Sequence, residues 1–231
     1  MTTELRIRWL GHSAFLVSAE HTVLLDPFAI PKDPSLQSRG MVFDYPPIDK
    51  IAADLVLISH EHFDHNGSEV VEGSPQVIRS TAGKFDSCIG SIVAIAGEHD
   101  DVAGTKRGLN TIFCFSLGGT RLCHLGDFGQ ARLRPEQERA IGEIDILFLS
   151  VGSGPTLGPE AAVALMRTPR PRLVLPMHYR TPALNFLEPP GVFLEAVVAD
   201  LKRLETSEVA VEELLGTREL PVVALLAPPA S

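Results

Sequence analysis

The stretch Leu55-Val-Leu-Ile-Ser-His60-Glu-His62-Phe-Asp64-His65-Asn-Gly67 constrains this chain more than any other. Its apolar, β-branched start reads as a buried strand, and an Asn-Gly turn signal closes it. Between them stand His60, His62, Asp64 and His65. His60 and His62 are two apart, so an extended backbone points them to the same side, while Asp64 and His65 follow where the chain must bend. Three histidines and a carboxylate at the end of an apolar strand would be costly to desolvate without a cation. The pattern therefore predicts a metal site, whose nitrogen and oxygen donors suit zinc, with manganese, nickel or iron as substitutes.

The remainder of the chain bounds what such a site can serve. With 231 residues, 45% hydrophobic and 21% charged, it is ordinary for a soluble globular protein and long enough to bury a sizeable core. No repeat or linker divides it, so residues 1–231 are expected to form a single domain. A formal charge of −9 without a basic run excludes a nucleic-acid surface. It says little about a metal-lined pocket, where an anionic small-molecule substrate stays compatible. Cys88, Cys114 and Cys123 are few and scattered, the pattern of reduced thiols in a cytoplasmic protein. The sequence shows neither a secretory signal nor a membrane-spanning apolar stretch. A homo-oligomer is left open.

Alternation and turn residues predict short strands over 5–10, 14–17 and 22–25, with His12 on the first turn. Residues 28–50 are irregular and rich in proline, a long loop of the kind that walls a pocket. A strand over 91–96 arrives at His99, and a Gly118-Gly119 turn joins two strand-like runs between Asn110 and Leu125. The second run exits at His124-Leu-Gly-Asp127, the same arrangement as at His60. Helices are expected over 135–141, 159–167 and 192–204, a strand over 173–175 delivering His178, and edge strands near 209–211 and 222–226. Strands alternating with helices and hairpins indicate a layered α/β fold.

His60-Glu-His62-Phe-Asp64-His65 resembles the His-x-His-x-Asp-His signature of the metallo-β-lactamase superfamily. Cys123-His124-Leu-Gly-Asp127 and Leu175-Pro-Met-His178-Tyr179 are similar to its later ligand segments. Trp9-Leu-Gly-His12-Ser-Ala-Phe and Val23-Leu-Leu-Asp26-Pro27 are similar to the opening of its small stand-alone branch, which includes ascorbate-phosphate lactonases. The resemblance implies a four-layer αββα sandwich holding two divalent metal ions. It assigns one metal to His60, His62 and His124, the other to Asp64, His65 and His178, and makes Asp127 the bridge. It places His12 at the mouth of the site and His99 facing it without being a principal ligand, while Asp26 would orient a ligand histidine. Arg180 departs from the small residue expected after His-Tyr and offers a cation to an anionic substrate.

The implied chemistry is hydrolysis of a small-molecule ester, lactone or phosphoester by a metal-bridging hydroxide. Asp64, His99 or a metal-bound water would protonate the leaving group. Two other classes use the same ligand set: an iron-dependent oxidoreductase and a non-catalytic metal-binding scaffold.

Overall fold

The computed structural model describes residues 4–30, 38–152, 154 and 156–230. Its strands in the first half of the chain are β1 (Arg6–Gly11), β2 (Ala14–Ser18), β3 (Thr22–Leu25), β4 (Ile51–Ala52), β5 (Leu55–Ile58), β6 (Val71–Glu72), β7 (Gln76–Arg79), β8 (Gly83–Ser87) and β9 (Gly90–Glu98). The second half supplies β10 (Leu109–Leu117), β11 (Thr120–His124), β12 (Ile146–Ser150), β13 (Leu173–Met177), β14 (Asp200–Arg203), β15 (Glu208–Ala210) and β16 (Val222–Leu225). Among the described residues the α-helices, in chain order, are α1 (Pro135–Ile141), α2 (Pro159–Leu165) and α3 (Gly191–Ala196).

These strands make a six-stranded sheet in the order β15-β1-β2-β3-β5-β7 and an eight-stranded sheet in the order β14-β16-β13-β12-β11-β10-β9-β8. β1 alternates buried and open positions, as an antiparallel strand with one wet face must. β5, β12 and β13 are buried at every position, the signature of central parallel strands covered on both faces. Both sheets contribute to one core: Ile7, Trp9, Phe15 and Val17 from the first, Phe113, Phe115, Leu147 and Phe148 from the second. The rings of Phe15 and Phe148 meet across the gap, 4.7 Å between centroids. This is the mixed α/β sandwich the sequence indicates.

Strand direction fixes where the chemistry can gather. β11, β12 and β13 are parallel. β9 runs the same way, because it is antiparallel to β10, which is antiparallel to β11. In the other sheet β3 and β5 are parallel. The C-terminal ends of β9, β11 and β13 deliver His99, Asp127 and His178, and those of β3 and β5 deliver Asp26 and His60.

Several expected elements differ. The helix expected over 192–204 stops at Ala196, and the chain re-extends as β14 against β16. The 222–226 strand is interior, held between β14 and β13, whereas β15 lies at an edge as expected. Over the outer face of β3 and β5, where Leu24, Val56 and Ile58 are buried, lie Ile51, Ala53 and Val71, with β4 and β6 pairing in parallel there. Of the long loop expected over 28–50, residues 31–37 lie outside the described residues. The rest is anchored: Phe28, Phe43, Tyr45 and Ile48 pack on Leu184 and Leu187, and Asp44 N–H donates to the Ala183 carbonyl at 2.7 Å. Among the described residues no helix is long and apolar enough to cross a membrane.

Truncating Phe148, fully buried between the sheets, should cost about 3–5 kcal/mol. Urea unfolding of Phe148→Ala checks this against Val198→Ala, whose residue is 82% exposed and should change stability by no more than about 0.5 kcal/mol.

Candidate metal centre

Two groups of donor atoms flank one carboxylate where the strand ends converge, and Asp26, His60 and His65 make a third among the described residues. His60, His62 and His99 bring one ring nitrogen each within 4.8 Å of one another, and so do His12, Asp64, His65 and His178 with one donor atom each. Between them stands the buried carboxylate of Asp127. Its Oδ2 lies 3.0 Å from His178 Nε2, 3.1 Å from His99 Nε2, 3.4 Å from His65 Nε2 and 4.0 Å from His60 Nε2. Asp127 is placed by Asn110, whose Oδ1 accepts the Asp127 N–H at 3.0 Å while its Nδ2 donates to the Leu125 carbonyl at 2.8 Å. The approach requires Gly126: at φ +57 a Cβ there would sit 2.3 Å from Asn110 Oδ1 and 2.5 Å from Ser59 Cβ.

The histidines are oriented from behind. Asp26 Oδ1 accepts the Ser59 N–H at 2.7 Å, and Oδ2 accepts the Ser59 hydroxyl at 2.6 Å. A carboxylate can only accept, so the Ser59 proton points at Asp26 and Ser59 Oγ receives the Nδ1–H of His60 at 2.9 Å. His65 Nδ1 lies 2.9 Å from the same Asp26 oxygen. Both rings are thereby held with Nε2 facing the centre, the orientation a metal-ligating imidazole takes from a hydrogen-bonded partner. His12, Asp26 and His178 all adopt positive φ, 52°, 38° and 53°, costing roughly 1 kcal/mol or more each. The His12 carbonyl accepts from Trp9 Nε1 at 3.0 Å and from the His178 N–H at 3.3 Å, tying two of these residues together.

Electrostatics point to a cation. Burial alone would raise the carboxyl pKa values of Asp26, Asp64 and Asp127, yet surrounding histidines hold all three below the usual carboxylate range. Burial, seconded by like-charge histidines, pushes His12 down to about 4 and His60 to about 3, and burial also lowers His62. His65 goes the other way: burial opposes its charge, but Asp127 and Asp64 raise it well above the ordinary value. The His65 imidazolium therefore stands beside carboxylates that stay ionised. The buried atoms His12 Nδ1, His65 Nε2, His178 Nδ1 and Asp127 Oδ1 have no hydrogen-bond partner. Orphaned nitrogens and a carboxylate oxygen in one buried cluster are what a metal ion would satisfy, and the donor set fits one.

The structure relocates two residues. His124 does not join His60 and His62. Its Nδ1 accepts the Gly126 N–H at 3.1 Å and its Nε2 meets the Ser13 carbonyl at 3.2 Å, so neither nitrogen is left for a metal. His99 stands in that place. The physical reason is one position of register: His124 is still paired inside β11, opposite Phe113 and Phe148, whereas His99 is the first residue past β9. Arg180 is turned away as well, its Nε donating to the Leu187 carbonyl at 2.6 Å, in a groove it shares with Arg203 and Glu205. His12 does reach the centre, with Nε2 3.1 Å from Asp64 Oδ2 and its ring 4.5 Å from that of His178. Ser59 and Asn110 escaped the sequence reading, since a serine before a histidine and an asparagine opening a strand carry no signal until the sheets bring them to Asp26 and Asp127.

Beyond His99 the chain folds around Asp100. Its carboxylate accepts the N–H groups of Val102, Gly104, Lys106 and Arg107 at 2.7–2.9 Å. Desolvation opposes the charge, but these four donors hold the pKa at about 2.

The family described as beta-lactamase superfamily domain matches residues 6–178. A metal-dependent hydrolase of Deinococcus radiodurans is 32% identical over 209 residues, 78% of this chain and 87% of its own. A Thermotoga maritima structure named as a zinc-dependent hydrolase of the metallo-beta-lactamase superfamily superposes with TM-score 0.74 at 30% identity, covering 96% of this chain and 98% of that one. A metallo hydrolase of Ignicoccus hospitalis shares the fold at TM-score 0.61 and 22% identity, covering 99% and 97%.

Ser59→Ala removes the link between Asp26 and His60 and should weaken metal affinity about 10–100-fold, read by competition with a chelating dye. Asp100 has a folded pKa below its unfolded value, so its contribution is present above about pH 4 and is lost as pH falls through about 2. Asp100→Asn should therefore unfold at lower urea than the wild type at pH 7, with the gap narrowing steadily between pH 5 and pH 2.

Proposed function

Because the chain belongs to the beta-lactamase superfamily and its relatives are metal-dependent hydrolases, we propose that it hydrolyses an ester, lactone or phosphoester bond of a small molecule with two divalent metal ions, zinc first among them. The observation that carries this reading is the pair of donor groups sharing one carboxylate, with Asp127 Oδ2 within 3.4 Å of nitrogens from both His99 and His65. His60, His62 and His99 would hold one ion, Asp64, His65 and His178 the other, and Asp127 both. The ions would supply a water activated to hydroxide at neutral pH and polarise the oxygen of the scissile group.

The chain's own residues do the remaining work. Asp26, directly and through Ser59, keeps His65 and His60 in the tautomer that presents Nε2. Asp64, beside His12, stands at the open side of the cluster with its carboxylate partly accessible, where it can hold or pass the leaving-group proton. Phe43, 5.5 Å from the His12 ring and 6.1 Å from Phe63, walls that side and limits water. A cytoplasmic small-molecule enzyme is the setting this reading implies.

Metal content per chain, measured by elemental mass spectrometry on protein purified without added metal, tests it. The wild type should carry two equivalents of zinc, manganese or nickel, and His99→Ala and Asp127→Ala should lose at least one. His124→Ala should keep both while losing stability. Loss of metal in His124→Ala but not in His99→Ala would reverse the assignment, and one iron per chain with oxygen consumption would replace hydrolysis by oxidation.

A further inference from the structure

His60 and His62 line a cavity of about 290 Å³ together with Glu61, Ser80, Arg107 and Thr111. Two charged residues line it in unequal circumstances, Glu61 and Arg107. Glu61 is spent: Arg79 grips it with Nε at 3.0 Å and Nη2 at 2.6 Å, and the Ser80 hydroxyl donates to it at 2.6 Å. The Arg79 hydrogen bond outweighs desolvation and keeps its pKa near 2, so this pair contributes no net charge. The Arg107 guanidinium makes no hydrogen bond or ion pair with any described residue, which leaves it the uncompensated charge of the cavity.

Arg107 is exposed, and it also borders a neighbouring cavity lined by Asp100 and Asp101, but its backbone is held in place. The Arg107 N–H is one of the four bound by Asp100, at 2.8 Å. The next residue, Gly108, takes the His99 N–H on its carbonyl at 3.1 Å and donates its own N–H to the Gly104 carbonyl at 2.9 Å. Gly129 packs against the following His99–Asp100 peptide, where a Cβ would fall 2.4 Å from the His99 carbonyl carbon. The backbone that presents the guanidinium is thus tied to a residue of the metal centre. The backbone is fixed before an anion arrives, and the ordering left to binding is that of the exposed side chain. The fork of an arginine suits the paired oxygens of a carboxylate or phosphate.

We propose that Arg107 binds an anionic group of the substrate, a carboxylate or a phosphate, in the cavity walled by His60 and His62, so that the substrates of this chain carry a negative charge away from the bond that is cleaved. This rests on the hydrolase reading for the reaction but not for the binding. It also moves the substrate cation from Arg180, which faces another groove, to Arg107.

The test compares the metal-loaded wild type, Arg107→Ala, Arg107→Lys and Arg180→Ala in two assays. In the first, 4-nitrophenyl butyrate and the mono-4-nitrophenyl ester of succinic acid serve as neutral and anionic substrates of similar size. Arg107→Ala should raise KM for the anionic ester about tenfold relative to the neutral one, the loss of one charge-assisted pair, with Arg107→Lys between and Arg180→Ala like the wild type. In the second, isothermal titration with succinate and with inorganic phosphate separates the two anion sources, and the preferred anion should bind Arg107→Ala about tenfold more weakly. If the wild type cleaves neither ester, hydrolysis of esters fails and the titrations alone decide the role of Arg107. Equal loss on both esters, unchanged anion affinity in Arg107→Ala, or no anion binding to the wild type overturns it.

Discussion

The carboxylate of Asp26 is the interaction on which the site depends. It is completely buried, and a buried charge is tolerable only when its lone pairs are satisfied. Here the Ser59 N–H, the Ser59 hydroxyl and His65 Nδ1 do this at 2.6–2.9 Å. The arrangement exists because β3 and β5 are parallel neighbours, with the Asp26 N–H continuing the ladder onto the Leu57 carbonyl. Both strands therefore end together, and the residue after one meets the residue after the other. Removing Asp26 would free the tautomers of His60 and His65 at once.

Much of this was legible in the chain, and what was not has a physical cause. The His60 to His65 segment could be read directly because its ligands are contiguous and the bend is marked by Asn-Gly. Choosing between His99 and His124 could not be done that way, since both follow apolar strands that run in the same direction. Whether a side chain lies inside the ladder or beyond it turns on a single residue of pairing, and pairing is a property of the neighbouring strand. Residues 192–204 misled for a related reason. Val197 and Val198 let either period fit, and β16 offered an open edge that drew 200–203 into a strand. The sequence marks 28–50 as an irregular loop, but nothing local shows that Phe43 pairs with Leu184 and closes one side of the centre.

The centre is also where the fold carries its local costs. Positive φ at His12, Asp26 and His178 is unfavourable in isolation, and at 126 and 129 only glycine fits the space. The sandwich offsets them elsewhere, through a core that runs without interruption from Ile7 and Trp9 to Phe148 and Leu175. Strain of this kind persists only where the surroundings over-determine it, and here they do: the His12 carbonyl is pinned by Trp9 and His178, and Gly126 by Ser150, whose hydroxyl donates to its carbonyl at 2.7 Å. The ligand atoms are consequently positioned before any ion arrives.

Charge on the whole chain and charge at the centre then act on different scales. The net −9 of the whole chain includes the carboxylates of the centre, and the charge on the exterior is screened within about 8–10 Å at physiological ionic strength. Inside, the carboxyl groups of Asp26, Asp64 and Asp127 are held below their usual pKa and His65 is held above its own. Three buried carboxylates favour cations, and two divalent ions would bring about +4 against them. An acidic protein can in this way attract an anion to one spot on its surface. The guanidinium of Arg107, left uncompensated beside His60 and His62, adds to that local field, whereas Arg79 does not, because Glu61 has already neutralised it.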